Sequence, residues 1–457
     1  MMLEAIEGVL AGRKGIADWL LVELRRSSSE LYAIRRRIDI SRRVESLEYS
    51  LVVYVDAVEG GTRTRGEAKV TIHPTMSADE LSAIVDRAVF AASRSRNPWF
   101  HVPEPAPALL DLPPNGFEGR SLSRWSAELL EFALGATSRG ERPFGNSDPT
   151  GARLVSAARI NSLELFLTKR DTRIRSSRGV DVGWSSHEGY IEYVVEAEGS
   201  AGEVELFGDL RFSEPDGDRL AREVGRSLGL VEDRAVAIPL PALGNLPLVL
   251  GGEEAASCLA WFFENADASR MWLGSSPLAL GASVHGESAK PGSYDPIELA
   301  AEAILRGQPA SSPFDGEGVP LARRPLIEGG KLLALHGPTR YTDYLKLPGL
   351  GSYRLFSVGP GSASGQALRA LPHLEVARFS DFNVDPDSGD FGGEIRLGWY
   401  FDGIKRVPVF GGSVTGSLFE NRGLIRMSKE ICLAGSMLGP SAIRLPSVSI
   451  TAAASET

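Results

Sequence analysis

Apolar and polar residues alternate along the first part of the chain. Tyr49, Leu51, Val53 and Val55 fall on one side of an extended backbone and predict a half-buried strand over 48–56. Looser alternation predicts strands over 18–26, 30–38 and 64–72. The period then changes. Ser77 with Glu80 three residues on has the form of a capping box, and Leu81, Ile84, Val85, Ala88, Val89 and Ala92 follow at helical spacing. Residues 97–116 are rich in proline and read as a long connection, with a helix expected over 123–134. Strands return between Leu154 and Glu198, most clearly over 161–168 and 189–197, and 216–229 has the spacing of a helix.

The proline-rich segment 238–247 is the best place for a domain boundary. Beyond it, helices are expected over 253–263 and 296–305. Most of the rest alternates short apolar runs with glycine-rich turns, the mark of an antiparallel, barrel-like sheet. The expected fold is α+β: a mixed α/β N-terminal domain over 1–237, then a β-rich, barrel-like C-terminal domain over 238–457. At 457 residues the chain is too long for one ordinary core, which agrees with two units. The run from Gly359 to Gly365, G-P-G-S-A-S-G, lacks the lysine of a phosphate-binding loop and reads as a mobile surface loop.

Composition excludes several classes. Hydrophobic residues make up 43% and charged residues 24%, as in a water-soluble globular protein. No apolar run reaches the length that spans a bilayer. Glu4 and Glu7 interrupt the first apolar residues, so the basic-then-apolar layout of a secretion signal is missing, and a cytoplasmic location is expected. Cys258 and Cys432 offer no disulfide framework. A net charge of −10 argues against nucleic-acid binding. Arg35, Arg36, Arg37, Arg42 and Arg43 are the local exception, and nearby Glu30, Asp39, Glu45 and Glu48 point to a solvated, salt-bridged strand face.

The richest stretch runs from Ser312 to Leu333. Asp315-Gly316 is a strong turn signal, Gly316 and Gly318 free the backbone around Glu317, and Phe314 supplies an apolar anchor. Gly329-Gly330 then turns the chain into Lys331-Leu332-Leu333. The pattern predicts a shaped loop on a hairpin, with Phe314, Asp315, Glu317 and Gly318 as cleft-loop candidates. Downstream come Asn383, then Ser388-Gly389-Asp390-Phe391, then Gly398 to Gly403, then Val407-Pro408-Val409 and Thr415-Gly416-Ser417-Leu418. In order and spacing these motifs resemble the TldD/PmbA family, peptidases once described as modulators of DNA gyrase. The resemblance is densest from about Pro247 to Ser449. One departure is Gly351 to Phe356, which stands where that family has S-T-G-N.

The resemblance also says where a metal would be held. The family's metal-bearing branch carries H-E-x-x-x-H on a helix, with two imidazole ligands and a glutamate that activates water. The matching stretch here has Glu253 and Cys258 at the histidine positions and Glu254 at the glutamate. Paired glutamates at a helix start are readily explained by the helix dipole, and Cys258 beside Leu259 and Trp261 by burial. His73, His101, His187, His285, His336 and His373 are widely separated, and His187, Glu188 and Glu192 on one strand do not share a face. No G-x-S-x-G elbow is present. Likeness without ligands is that of the PmbA (TldE) branch. It implies a metal-free subunit, with no catalytic residue or cofactor of its own, that pairs with a zinc-bearing TldD-like paralogue and holds extended peptide. A stand-alone hydrolase and a gyrase-modulating binding protein remain open at this point, as does a homodimer.

Overall fold

The computed structural model describes residues 2–137, 158–199, 202–287, 289–348 and 351–453. The expected strand region beginning at Leu154 therefore starts outside the described residues. Among the described residues no helix is long and apolar enough to cross a membrane.

The N-terminal part is built on one antiparallel sheet. Its strands are β1 (Asp18–Ile34), β2 (Arg37–Glu59), β3 (Thr62–Ile72), β4 (Asn97–Pro98), β5 (Arg159–Ser176), β6 (Asp181–Gly199) and β7 (Gly202–Phe212). They lie in the order β4-β3-β2-β1-β5-β6-β7. Two strands expected over 18–26 and 30–38 are one continuous strand that ends at Ile34. The chain reverses at Arg35 and Arg36, whose φ values of 44° and 68° supply a left-handed turn without glycine. Arginines hide such a turn from a reading that looks for Asn-Gly.

Four helices cover one face: α1 (Met2–Ala11), α2 (Ala78–Arg94), α3 (Leu122–Leu134) and α4 (Gly217–Ala235). Leu81 and Val85 of α2 pack with Leu21, Leu51, Val53 and Ile72. The capping box at its start is complete: Ser77 N–H donates to Glu80 at 2.8 Å and Glu80 N–H to the Ser77 hydroxyl at 3.3 Å. Leu129, Leu130, Leu220 and Val224 of α3 and α4 cover Leu163, Leu165, Ile191 and Val195.

The C-terminal part holds a closed five-strand barrel. Going round, the strands are His373–Val384, Gly244–Gly251, Ala442–Thr451, Ser413–Ser417 and Asp390–Phe401, which pairs back with the first. Beside it lies a six-strand sheet with Leu299–Glu302 and Leu355–Val358 at its centre. Helix α5 (Gly252–Glu264) fills the space between the two, burying Ala255, Cys258, Leu259, Trp261 and Phe262. The fold is α+β with a barrel in a β-rich C-terminal region.

Two expectations are corrected. Residues 296–305 are not a helix. Leu299, Ala300 and Ala301 are buried on both sides as a strand between two neighbours, so burial in the sheet overrides the helical preference of alanine. The Gly359–Gly365 run is not a loose loop. Gly359 N–H donates to Glu298 at 2.8 Å and Gly361 N–H to Ser428 at 2.9 Å, and a Cβ on Gly361 would lie 2.0 Å from the Met427 carbonyl. Ser364 then caps a short helix, Gly365–Leu368.

One charged group ties three neighbouring strands of the sheet together. Arg65 on β3 is fully buried and donates to Asp18 at 2.8 Å and to Asp56 at 2.7 Å. Burial opposes ionisation of Asp18, but hydrogen bonds from Arg178 and Ser177, with the Arg65 charge, hold its carboxyl below the usual value. Replacing Arg65 by Met leaves buried carboxylates short of a partner. A loss of about 3 kcal/mol or more is expected, read as an earlier urea transition, with Arg65→Lys recovering only part because it lacks the fork.

Candidate functional site

Helix α5 begins at Gly252, behind the N-cap residue Gly251, with no side-chain cap. Glu253 and Glu254 occupy its first turn, where the dipole favours negative charge. Burial wins over the dipole and raises both pKa values, with Asp209 adding to the effect on Glu253. Solvent still reaches Glu253, which lies in a recess crowded by protein. Cys258 faces the opposite way, wholly buried in the apolar core, and its thiol is raised well above the ordinary range.

Across the recess stands the sheet face that the helices leave uncovered. Glu164, Glu192 and Asp209 are directly opposite one another on β5, β6 and β7. Burial, then repulsion from Glu192, raises Glu164. Burial also raises Asp209, against the pull of Arg211 and Arg378. The next row is Phe166, Tyr190 and Arg211, with the two rings stacked at 6.0 Å and the guanidinium 4.3 Å from the Tyr190 centroid. Sequence reading missed this wall, since only strand register brings the three acids together. The arrangement can receive a positively charged or hydrogen-bond-donating group.

These residues do not suit a zinc ion. A metal thiolate would have to form at Cys258 inside the apolar core, while Glu253 opens to solvent. The described histidines serve other ends. His285 bonds to the Arg422 carbonyl at 2.8 Å and accepts Ile297 N–H at 3.2 Å, and His336 stacks on Phe263 at 4.3 Å. His187 stacks on Phe117 at 5.3 Å, away from Glu188, which pairs with Arg170 and Arg211. Among the described residues the group with metal-holding spacing is Glu196, Glu203 and Glu205, elsewhere on the sheet, and Arg159 pairs with the first two of them.

The Phe314–Gly318 loop lies at the seam between the two halves. Asp315 turns inward: one oxygen accepts the N–H groups of Glu317 and Val319, both at 2.9 Å, and the other accepts Ser352 N–H at 2.9 Å. Glu317 reaches the other way and accepts Thr339 N–H at 2.8 Å, at the start of a short helix, Thr339–Tyr344. That helix docks on the N-terminal half, with Arg340 on Asn97 at 2.7 Å and Tyr344 on the Pro98 carbonyl at 2.9 Å. Phe314 is buried 6.2 Å from the Trp184 ring. Gly318 has φ +85°, and a Cβ there would stand 2.7 Å from Val180. An open cavity of about 630 Å³ lies further along the seam, lined among others by Pro113, Lys169, His187, Arg306 and Gln308.

Residues 243–452 match the PmbA/TldA metallopeptidase C-terminal domain. That match is to the family whose motif order the sequence resembles. Solved structures agree in fold over nearly the whole chain. TldE from Thermococcus kodakarensis is 15% identical with a TM-score of 0.74, covering 98% of this chain and 100% of its own. A proposed DNA gyrase modulator from Thermotoga maritima is 13% identical with a TM-score of 0.75, covering 99% and 100%. A second such protein, from Bacteroides thetaiotaomicron, is 16% identical with a TM-score of 0.71, covering 98% of each chain. Among curated proteins, none matches the sequence.

Two outcomes follow from the seam. Asp315→Asn turns an amide donor toward a backbone donor, so a loss of about 1–3 kcal/mol is expected rather than a mild effect, and Gly318→Val is expected to cost at least as much through its φ and its clash. Chemical denaturation of each variant checks this. The second outcome concerns pH. Burial and the neighbouring Asp315 raise Glu317 to about 6, and burial raises Asp315 as well. The folded state thus binds protons more tightly than the unfolded one. Stability from these groups is greatest below the unfolded carboxylate range and falls as pH rises through about 6. Glu317→Gln keeps an acceptor for Thr339 and should flatten that slope in denaturation curves taken across the interval.

Proposed function

We propose that this chain is the metal-free, TldE-like subunit of a heteromeric peptidase. It walls the cleft and holds an extended peptide, while a TldD-like paralogue supplies the zinc and the catalytic glutamate. The observation that carries this reading is α5. The helix that bears the ligands in the metal-bearing branch has an exposed Glu253 and a sealed Cys258 at the two ligand positions. A fold shared with TldE over nearly its full length supports it. The acidic recess beside α5 offers a polar wall against which a peptide can lie, and the uncovered sheet face is suited to an extended chain.

On this reading the isolated chain holds no stoichiometric transition metal and cleaves no peptide. Co-expression with a metal-bearing paralogue should give a complex that elutes as one species and is active only with both chains present. About one tightly bound metal per isolated chain would overturn the proposal. So would full activity of the paralogue alone with no co-elution at micromolar concentration, which would move the weight to a regulatory binding protein.

A further inference from the structure

Three stretches of chain bound the seam cavity, and each is held in place. The first is sheet, where Lys169 on β5 stands directly opposite His187 on β6. The second is the proline-rich connection, through Leu112, Pro113 and Pro114. The third comes from the C-terminal half, through Ile304, Leu305 and Pro309. There the Ser311 hydroxyl donates to the Leu305 carbonyl at 2.9 Å, and the Gln308 amide to the Gly435 carbonyl at 2.6 Å. The rim is tied across the seam, with Ser213 N–H on the Gly307 carbonyl at 3.2 Å and Arg306 on Glu214 at 2.8 Å. At about 630 Å³ the space has the size of a small-molecule site.

Inside it the acids are engaged and two donors are not. Glu118 accepts the N–H groups of Asn115 and Gly116 at 3.4 and 2.9 Å, and Glu214 accepts Arg306. His187 is fixed in one state by a short relay. Phe117 N–H donates to Asn115 Oδ1 at 3.1 Å, which turns the Asn115 amide nitrogen to His187 Nδ1 at 2.9 Å. An amide nitrogen only donates, so Nδ1 accepts and a neutral ring carries its proton on Nε2. Burial lowers the His187 pKa and favours that neutral ring. Among the described residues nothing hydrogen-bonds Nε2. Lys169 pairs with Asp171 at 3.2 Å, but both side chains are about two-fifths exposed, where such a pair is worth little. Ser185 also donates to Asp171, so the carboxylate keeps a partner when the ammonium turns inward.

We propose that this cavity binds a small organic carboxylate with an apolar body. Side chains directly opposite on paired strands stand about 5 Å apart, so one carboxylate can bridge His187 Nε2–H and the Lys169 ammonium. The apolar body then lies between Leu112 and Pro113 on one side and Ile304 and Leu305 on the other. Strand alternation puts His187 and Lys169 on the sheet face opposite Glu192 and Glu164. The site is therefore separate from the acidic recess and independent of the reading of α5.

The test titrates the full chain with hexanoate, and with hexanamide as the uncharged match, by calorimetry. Spectra of histidine-labelled protein run beside it, with the His187 signal assigned by its loss in His187→Phe. Hexanoate is expected to bind at least about tenfold more tightly than hexanamide and to shift the His187 ring signal. Lys169→Glu, a substitution on a half-exposed side chain, should weaken hexanoate at least about tenfold. His187→Phe keeps the ring stack on Phe117 but loses the donor, and should weaken it likewise. Circular dichroism checks that both variants fold. No heat and no His187 shift at about 10 mM hexanoate would overturn the proposal. So would equal binding of hexanamide, or hexanoate binding indifferent to both variants. Inorganic phosphate displacing hexanoate at equal concentration would overturn the part assigned to the apolar walls.

Discussion

The Asp315 carboxylate is the constraint on which the relation between the two halves depends. A buried charge costs much unless it is hydrogen-bonded, and Asp315 meets that need with backbone donors from its own loop and from Ser352. The loop is thereby fixed in one shape, with Gly318 turned against Val180 and Glu317 free to reach Thr339. Burial still raises both carboxyls, so the loop is held by donors that only partly offset its desolvation. The helix that Glu317 meets then carries Arg340 and Tyr344 to the strand-like Asn97-Pro98 segment. A local turn is thus linked through one short helix to the edge of the N-terminal sheet.

Helix α5 shows the same competition resolved differently. Its position between barrel and six-strand sheet gives one flank to a core and leaves its first turn at a recess. A ligand-bearing helix needs donors of matching exposure on one side. Here Cys258 has been absorbed into the core with Leu259, Trp261 and Phe262, and the first-turn glutamates keep company with other acids. The helix gives one flank to packing and leaves its first turn to the recess.

Legibility followed the range of the interactions. The α2 helix was readable because Ser77, Glu80 and the apolar stripe are all local, and its structure matches the pattern bond for bond. The β-rich character of the C-terminal half, and its kinship by motif order, were readable for the same reason. What escaped depended on distant partners. Leu299 to Ala301 became a strand only because two others flank it, and the Arg35-Arg36 turn lacks the residues that announce one. Asp315 and Glu317 were visible as a pair of acids on a turn. That one would brace the loop and the other the next helix depends on Ser352 and Thr339, which sequence spacing does not bring near.

The acidic recess is where these strands of argument meet. Like charges directly opposite on neighbouring strands repel, so Glu164, Glu192 and Asp209 weaken the sheet that carries them. Burial first, and the Glu192 charge after it, raises the carboxyl groups of Glu164 and Asp209. Arg378, from a barrel strand, acts on Asp209 and on Glu253 and Glu254 at once and partly offsets their burial. A cationic group entering the recess would meet acids already assembled and partly desolvated, and would add to what Arg378 supplies. The residues that least help the sheet to fold are the ones that give its open face a chemical preference.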